Sequence, residues 1–258
     1  AETVSLRRLA ERTPGFTGAD LGNLLNEAAI LAVRKGKKLI EEPDILESID
    51  KVMLGPEKRS RVMTEKEREM TAYHEAGHAI VGHFLPHCDP VRKVSIVGRG
   101  LAGGYTLSMP ELDKRYETVD DFRDDMAMAM GGYVAERMIY GDGRLSTGQS
   151  SDLKKATQLA TAMVTRYGMS ATLGPRVYSQ NEELIFLAQE IHEKKNYSEK
   201  TAEAIDIEIN RLLSEARDRA EEVMKLRRDR MEELVKVLIA KETVEQDEFV
   251  KILGEKKA

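Results

Sequence analysis

The sequence has no tryptophan, a single cysteine and only 5% aromatic residues across 258 positions. With one thiol, Cys88, an intramolecular disulfide framework is excluded, which fits a reducing compartment. Long apolar runs are also missing. The longest, MAMAMGGYVA at 126–135, falls far short of the roughly 20 residues that cross a bilayer. Nothing at the N-terminus reads as a signal peptide. A net charge of −5 argues against general nucleic-acid binding. There is no G-x-x-x-x-G-K-[ST] segment, so no phosphate-cradling loop is expected from these residues.

What is present favours helix. Apolar residues make up 41% and charged residues 33%, the balance of a folded, helix-rich chain rather than a disordered one. The chain reads as opening inside a helix, SLRRLAER, which suggests a piece of something longer. After Pro14-Gly15, Thr17 reads as an N-cap with Asp20 in the capping-box position. The helix LGNLLNEAAILAVRKG follows, with Leu21, Leu24, Leu25, Ala28, Leu31 and Ala32 on one stripe. A further helix starts at Pro43-Asp44. Residues 1–54 thus predict a small helical bundle, and the polar GPEKRSRVM at 55–63 reads as a linker. Helix resumes at Thr64, with Glu67 as capping partner, and stops at Pro86. VRKVSIV (91–97) and YTLSM (105–109) predict two strands of a hairpin with a long loop. Helices are expected over 118–140, 151–167, 198–228, 229–240 and about 245–253, with 170–197 irregular. The fold class is mainly α, with a small β-hairpin or sheet.

The stretch TAYHEAGHAIVGHF (71–84) holds three of the five histidines. His74 and His78 are four residues apart, so a helix places them on one face where both imidazoles reach one ion. Glu75 stands beside the first, within reach of a metal-bound water. H-E-x-x-H inside a helix is the zinc-protease arrangement, with Glu75 as general base. The bland alternative is a coincidental pair on a solvated helix. Ala72, Ala76, Gly77, Ala79 and Ile80 are small or apolar and suit a buried ligand face. A catalytic zinc needs a third protein ligand. Val81 and Phe84 stand where the long-spaced H-E-x-x-H-x-x-G-x-x-H scheme needs Gly and His, so that scheme is rejected. His83 and His87 read as exposed helix-end residues, and Cys88 as a small hydrophobe. Two carboxylates remain open. Asp152 lies in the first turn of the helix after LSTGQSS, where it either ligates a metal or only caps the helix. Glu136, in GGYVAERM, either competes for the third position or orients a ligand histidine. G-R-G-L-A-G (98–103) follows a strand, but GYTLSMP comes next and opens no helix, so dinucleotide binding is rejected. A strand edge near the metal, at Gly103, Gly104 and Tyr105, could instead pair with an extended peptide.

Several segments in order resemble one family. TPGFTGADLGNLLNEAAILAVRKG (13–36) is similar to the start of an AAA+ lid. HEAGHA (74–79), GLAGGYT (100–106), GGYVAERMIYG (131–141), STGQSSDLKKAT (146–157) and YGMSATLGP (167–175) resemble signatures of the FtsH-type, membrane-anchored, ATP-dependent AAA+ zinc metalloproteases. The resemblance implies a helical AAA+ C-terminal lid at 1–58 and a mostly helical zinc metalloprotease domain at 64–258. It implies one Zn2+ held by His74, His78 and Asp152, with Glu75 as the catalytic base and Glu136 near the site. Gly18 and Ala19 would lie near the adenine of ATP bound by the main AAA+ subdomain, which is not among these residues. The implied parent is a homohexamer anchored in a bacterial inner membrane with this part cytoplasmic, or in an organellar equivalent. It would degrade unfolded or membrane proteins fed by the ATP-driven ring. Tyr133, Arg137, Gln149, Ser150 and Ser151 depart from the family pattern, and none is a proposed ligand. The rival readings are a binding module with structural zinc and a helical scaffold with incidental histidines.

Overall fold

The computed structural model describes residues 4–57, 63–100, 103–110, 116–178 and 197–256. Three helices come first: α1 (Leu6–Glu11), α2 (Gly18–Arg34) and α3 (Glu42–Leu54). The expected SLRRLAER helix forms as α1, with the Ser5 hydroxyl accepting the Arg8 N–H at its start. The Thr17–Asp20 capping box forms as expected. Leu24, Ala28, Ile45 and Ile49 make a small separate core. Leu21 and Leu25 do not join it; they are 41% and 52% exposed. Their side of the stripe is left to solvent, while Leu24 and Ala28 face α3, with Leu9 of α1 packed against the same core.

The larger body is built around α4 (Glu65–Phe84), capped by the expected Thr64–Glu67 box. It is followed by β1 (Val91–Ser95), β2 (Tyr105–Ser108), α5 (Val119–Ala129), α6 (Gly131–Tyr140), α7 (Ser150–Thr165), α8 (Glu199–Leu226), α9 (Arg228–Lys241), β3 (Thr243–Glu245) and α10 (Gln246–Leu253). α4 packs against α5, α6, α8, α9 and the sheet. Its Ala72, Ala76, Gly77, Ala79 and Ile80 are all buried, as their small size suggested.

Three expectations change. The single helix expected over 118–140 breaks at Met130 into α5 and α6. Gly131 and Gly132 have weak helix propensity, and the break turns α6 onto α4. The hairpin gains a third strand: β3 pairs antiparallel with β1 on the side opposite β2, giving the order β2-β1-β3. Thr243, Val244 and Glu245, after the left-handed Glu242, alternate but are too short a run to be read as a strand. Finally, Ser150 or Ser151 reads in the sequence as the cap of the helix that carries Asp152, but Gln149 holds that position on α7 and makes no side-chain cap. A 3-10 turn at Thr147–Gln149 leads into it, and the Ser146 hydroxyl accepts the Gly148 N–H. Residues 58–62 of the expected linker, Leu101 and Ala102 of the glycine segment, and 179–196 of the expected irregular stretch lie outside the described residues.

Ion pairs tie α3 and the residues just after it to the larger body. Lys93 donates to Asp50 at 2.6 Å, and Arg99 to Glu47 at 2.8 Å and Glu57 at 2.9 Å.

Candidate metal centre

His74 and His78 stand one turn apart on α4, and Asp152 reaches them from the first turn of α7. His74 Nε2 is 3.1 Å from His78 Nε2 and 3.1 Å from Asp152 Oδ2, which is 3.4 Å from His78 Nε2. Among the described residues this is the one group of three or more His, Cys, Asp or Glu side chains with ligand atoms close enough to share an ion.

The other ring nitrogens fix the tautomers. His78 Nδ1 is 2.8 Å from the Met128 carbonyl, which can only accept, so that nitrogen carries the hydrogen. His74 Nδ1 faces Glu136 Oε1 at 2.8 Å. Glu136 also accepts the Ser146 N–H at 2.7 Å and the Ser146 hydroxyl at 2.9 Å. Burial raises the Glu136 pKa, but hydrogen bonds from His74 and Ser146 outweigh it and hold the carboxyl below its ordinary value. An ionised Glu136 accepts, so His74 Nδ1 donates. Both Nε2 atoms then present lone pairs to each other and to a carboxylate oxygen. Three acceptors at this spacing repel unless a proton or a metal cation lies between them. Tetrahedral zinc, with bonds of about 2.0–2.1 Å, sets neighbouring ligand atoms about 3.3–3.4 Å apart. The donor set therefore fits a zinc ion, with imidazole and carboxylate as suitable ligands.

The local field points the same way. Burial lowers the His74 pKa, yet Asp152 and Glu136 outweigh it and push the imidazole up to about 10, so without a metal a proton holds this place and a bound ion must displace it. Burial raises Asp152, but His74 and His78 hold it well below the usual carboxylate range. The pocket favours positive charge. Glu75 is buried and its pKa is raised by that burial, against the pull of His78 and His74.

Of the two carboxylates left open by the sequence, Asp152 contacts both imidazoles at Nε2 and Glu136 contacts only His74 at Nδ1. Gly104 is buried, and a Cβ there would lie 2.9 Å from Glu75 Oε1. Gly103 is exposed and precedes β2, which is an edge strand. The Tyr105 hydroxyl turns away to Asp50 at 3.4 Å, and Arg99 donates to it at 3.3 Å. Gly18 and Ala19 open α2 on the surface of the small helical unit, apart from this centre. His83 differs from expectation: it is buried, packed edge-on against Phe84 and Phe249, and its Nε2 has no hydrogen-bond partner among the described residues. α10, which covers it, has no marker near His83 in the sequence.

Sequence reasoning missed the steric part of the centre. A Cβ on Gly132 would lie 2.3–2.5 Å from three atoms of the His74 ring. A Cβ on Gly77 would lie 2.4 Å from the Gly131 carbonyl oxygen, and one on Gly131 2.8 Å from the Gly77 backbone. α4 and α6 cross backbone to backbone at these glycines. The adjacent glycines in GGYVAERM are the only trace of this in the sequence.

Comparison with known proteins agrees with the geometry. The family model "Peptidase family M41" matches residues 61–252, and an "AAA+ lid domain" model matches residues 3–47. "ATP-dependent zinc metalloprotease FtsH 1" of Sphaerobacter thermophilus is 50% identical over 252 residues, covering 98% of this chain and 38% of that protein. "ATP-dependent zinc metalloprotease FtsH" of Caldicellulosiruptor bescii is 48% identical over 254 residues, 98% of this chain and 41% of that protein. The protein of the same name in Chloroflexus aggregans is 46% identical over 255 residues, 98% of this chain and 39% of its own length. The chain thus spans about two fifths of the curated relatives it matches. Since the peptidase model covers most of its length, including both histidines and the converging aspartate, the chain belongs to peptidase family M41.

Proposed function

We propose that this chain is the proteolytic part of an ATP-dependent zinc endopeptidase, with His74, His78 and Asp152 as the zinc ligands and Glu75 as the general base. The convergence of two imidazole Nε2 atoms and one carboxylate oxygen within 3.4 Å carries the reading. Bound zinc supplies Lewis acidity, lowering the pKa of a coordinated water to about 7 and polarising a carbonyl. The chain's own residues do the rest. Glu136 and the Met128 carbonyl keep hydrogen on the Nδ1 atoms, so both Nε2 atoms stay available as ligands. Glu75, held in a buried site where its carboxylate is more basic than in water, takes a proton and delivers it to the leaving amine. The small buried residues of α4 keep bulk water from its inner face. The edge of β2, unpaired among the described residues and beginning beside Glu75 at Gly103, Gly104 and Tyr105, offers backbone groups to an extended peptide without reading its side chains.

The proposal extends to the whole protein. Residues 1–58 are the lid and 64–258 the protease unit, with Gly18 and Ala19 close to adenine when ATP is bound. The parent is a homohexamer anchored in a bacterial inner membrane, this part on the cytoplasmic side, or in the organellar equivalent. It receives unfolded or membrane proteins from the ATP-driven ring. Among the described residues no helix is long and apolar enough to cross a membrane. Nucleic acid is not a partner. The test is metal analysis and casein cleavage with the full-length protein and its Glu75→Gln variant. About one zinc per chain in both, with cleavage only in the wild type, supports the reading. Zinc without cleavage by the wild-type assembly overturns it, as does absence of zinc.

A further inference from the structure

We infer that Thr106 is a positioning residue for Glu75: its hydroxyl pins one carboxylate oxygen and leaves the other alone to receive a proton. The inference rests on the proposed role of Glu75 and adds to it. Thr106 Oγ1 donates to Glu75 Oε2 at 2.8 Å and lies 3.1 Å from the Glu75 backbone carbonyl. It is the one described side chain that hydrogen-bonds to this carboxylate. The opposite oxygen, Oε1, rests against Gly104, where a Cβ would come within 2.9 Å of it, 2.8 Å of the Ser95 carbonyl and 2.8 Å of Thr71 Cγ2. The carboxylate is therefore confined between a hydroxyl on one side and a backbone without a side chain on the other.

The hydroxyl is itself held by a rigid support. Thr106 is the second residue of β2, paired with Val94 of β1, and β1 is locked on its far side by β3. Thus a strand of the sheet fixes the orientation of a side chain on the neighbouring helix. A glutamate has several rotatable bonds, and a base that must search its rotamers spends little time in the reactive one. A neutral hydroxyl holds the carboxylate without adding charge beside a cation site, which a lysine or arginine would do.

The experiment uses the full-length, zinc-loaded protein and four forms: wild type, Thr106→Val, Thr106→Ser and Glu75→Gln. Valine keeps the shape and removes the hydroxyl; serine keeps the hydroxyl and removes a methyl. Hydrolysis of a short fluorogenic peptide gives kcat and KM, metal analysis gives zinc content, and crystal structures give the Glu75 side-chain position. For Thr106→Val we expect kcat to fall about 10- to 100-fold, the range for losing a hydrogen bond to a charged group. KM should stay within about twofold by the same argument, since the bond acts in the reaction step rather than in binding. Zinc content is unchanged and Glu75 adopts other rotamers. Thr106→Ser recovers most of kcat and the original Glu75 position. Wild-type kcat in Thr106→Val, or a serine variant as slow as valine, overturns the inference while leaving Glu75 as the base if Glu75→Gln is inactive. Full activity in Glu75→Gln instead sinks the reading on which the inference rests.

Discussion

Replacing Gly132 with alanine should separate folding from metal binding. The added Cβ would lie 2.3 Å from Cε1 and 2.5 Å from both Nδ1 and Nε2 of the His74 ring. Carbon contacts are ordinarily about 3.5–4.0 Å, so the ring must retreat by a little over 1 Å. The obstacle is a side chain, not backbone, so the ring swings aside and the helices stay in place. Alanine is favoured over glycine inside a helix by about 1 kcal/mol, so the metal-free fold should be unchanged or slightly more stable. Zinc sites tolerate displacements of about 0.2 Å, so His74 is lost as a ligand. Losing a group that merely supports a ligand costs about 10–100-fold in affinity, and losing the ligand should reach at least the upper figure. At free zinc of about 100 times the wild-type Kd, zinc stabilises the wild type by about 2.7 kcal/mol and the variant by about 0.4 kcal/mol. Denaturant unfolding of chelator-stripped protein, with and without zinc, measures both terms, and titration against a chromophoric chelator gives Kd. A Gly132→Ala protein with zinc affinity within about threefold of wild type would refute the steric argument.

Three further outcomes are expected. Gly77→Ala presses a Cβ to 2.4 Å from the Gly131 carbonyl oxygen, a backbone atom that cannot swing away, so α4 and α6 separate and stability falls by about 1–3 kcal/mol even without zinc, read by denaturant midpoint. Glu136→Gln keeps the fold but weakens zinc about 10–100-fold, because the amide no longer holds the His74 N–H as a carboxylate does; chelator competition checks this. His83 has its pKa lowered to about 4, chiefly by burial, so its neutral form is favoured in the fold. The stability this provides is complete above the unfolded pKa of about 6.5 and is lost as pH falls toward 4, reaching about 2 kcal/mol lost at pH 5. Comparing unfolding at pH 7.5 and pH 5, His83→Gln should lose less than the wild type by about that amount.

Local rules made part of this molecule legible. The capping boxes at Thr17 and Thr64 span three residues. The His74–His78 pair spans one helical turn, so its common face follows from helix geometry alone. The proposed third ligand is a different problem. Asp152 and Glu136 both sit on helices of suitable composition, and only the packing of α6 and α7 on α4 distinguishes the oxygen that meets Nε2 from the one that meets Nδ1. The burial of His83 depends on α10, more than 160 residues away in sequence. The glycines carry the least local signal of all. Neither Gly77, Gly131 nor Gly132 has a positive φ. What requires them is the space between two helices, and no single segment records that.

Glu136 shows why the two halves of the centre stand or fall together. One of its oxygens accepts from His74 and the Ser146 hydroxyl, while the other accepts the Ser146 N–H. The Ser146 hydroxyl also accepts the Gly148 N–H, shaping the 3-10 turn that delivers Asp152 at the head of α7. His74 on α4 and Asp152 on α7 are thus held by one carboxylate buried to 1% exposure. Disturbing it moves His74 and the approach of Asp152 at once, so substitutions at Glu136 and at Ser146 should not be additive in zinc affinity. A separate pair of anchors would let each ligand drift independently. A shared one makes the spacing between imidazole and carboxylate a fixed property of the fold, set before any ion arrives.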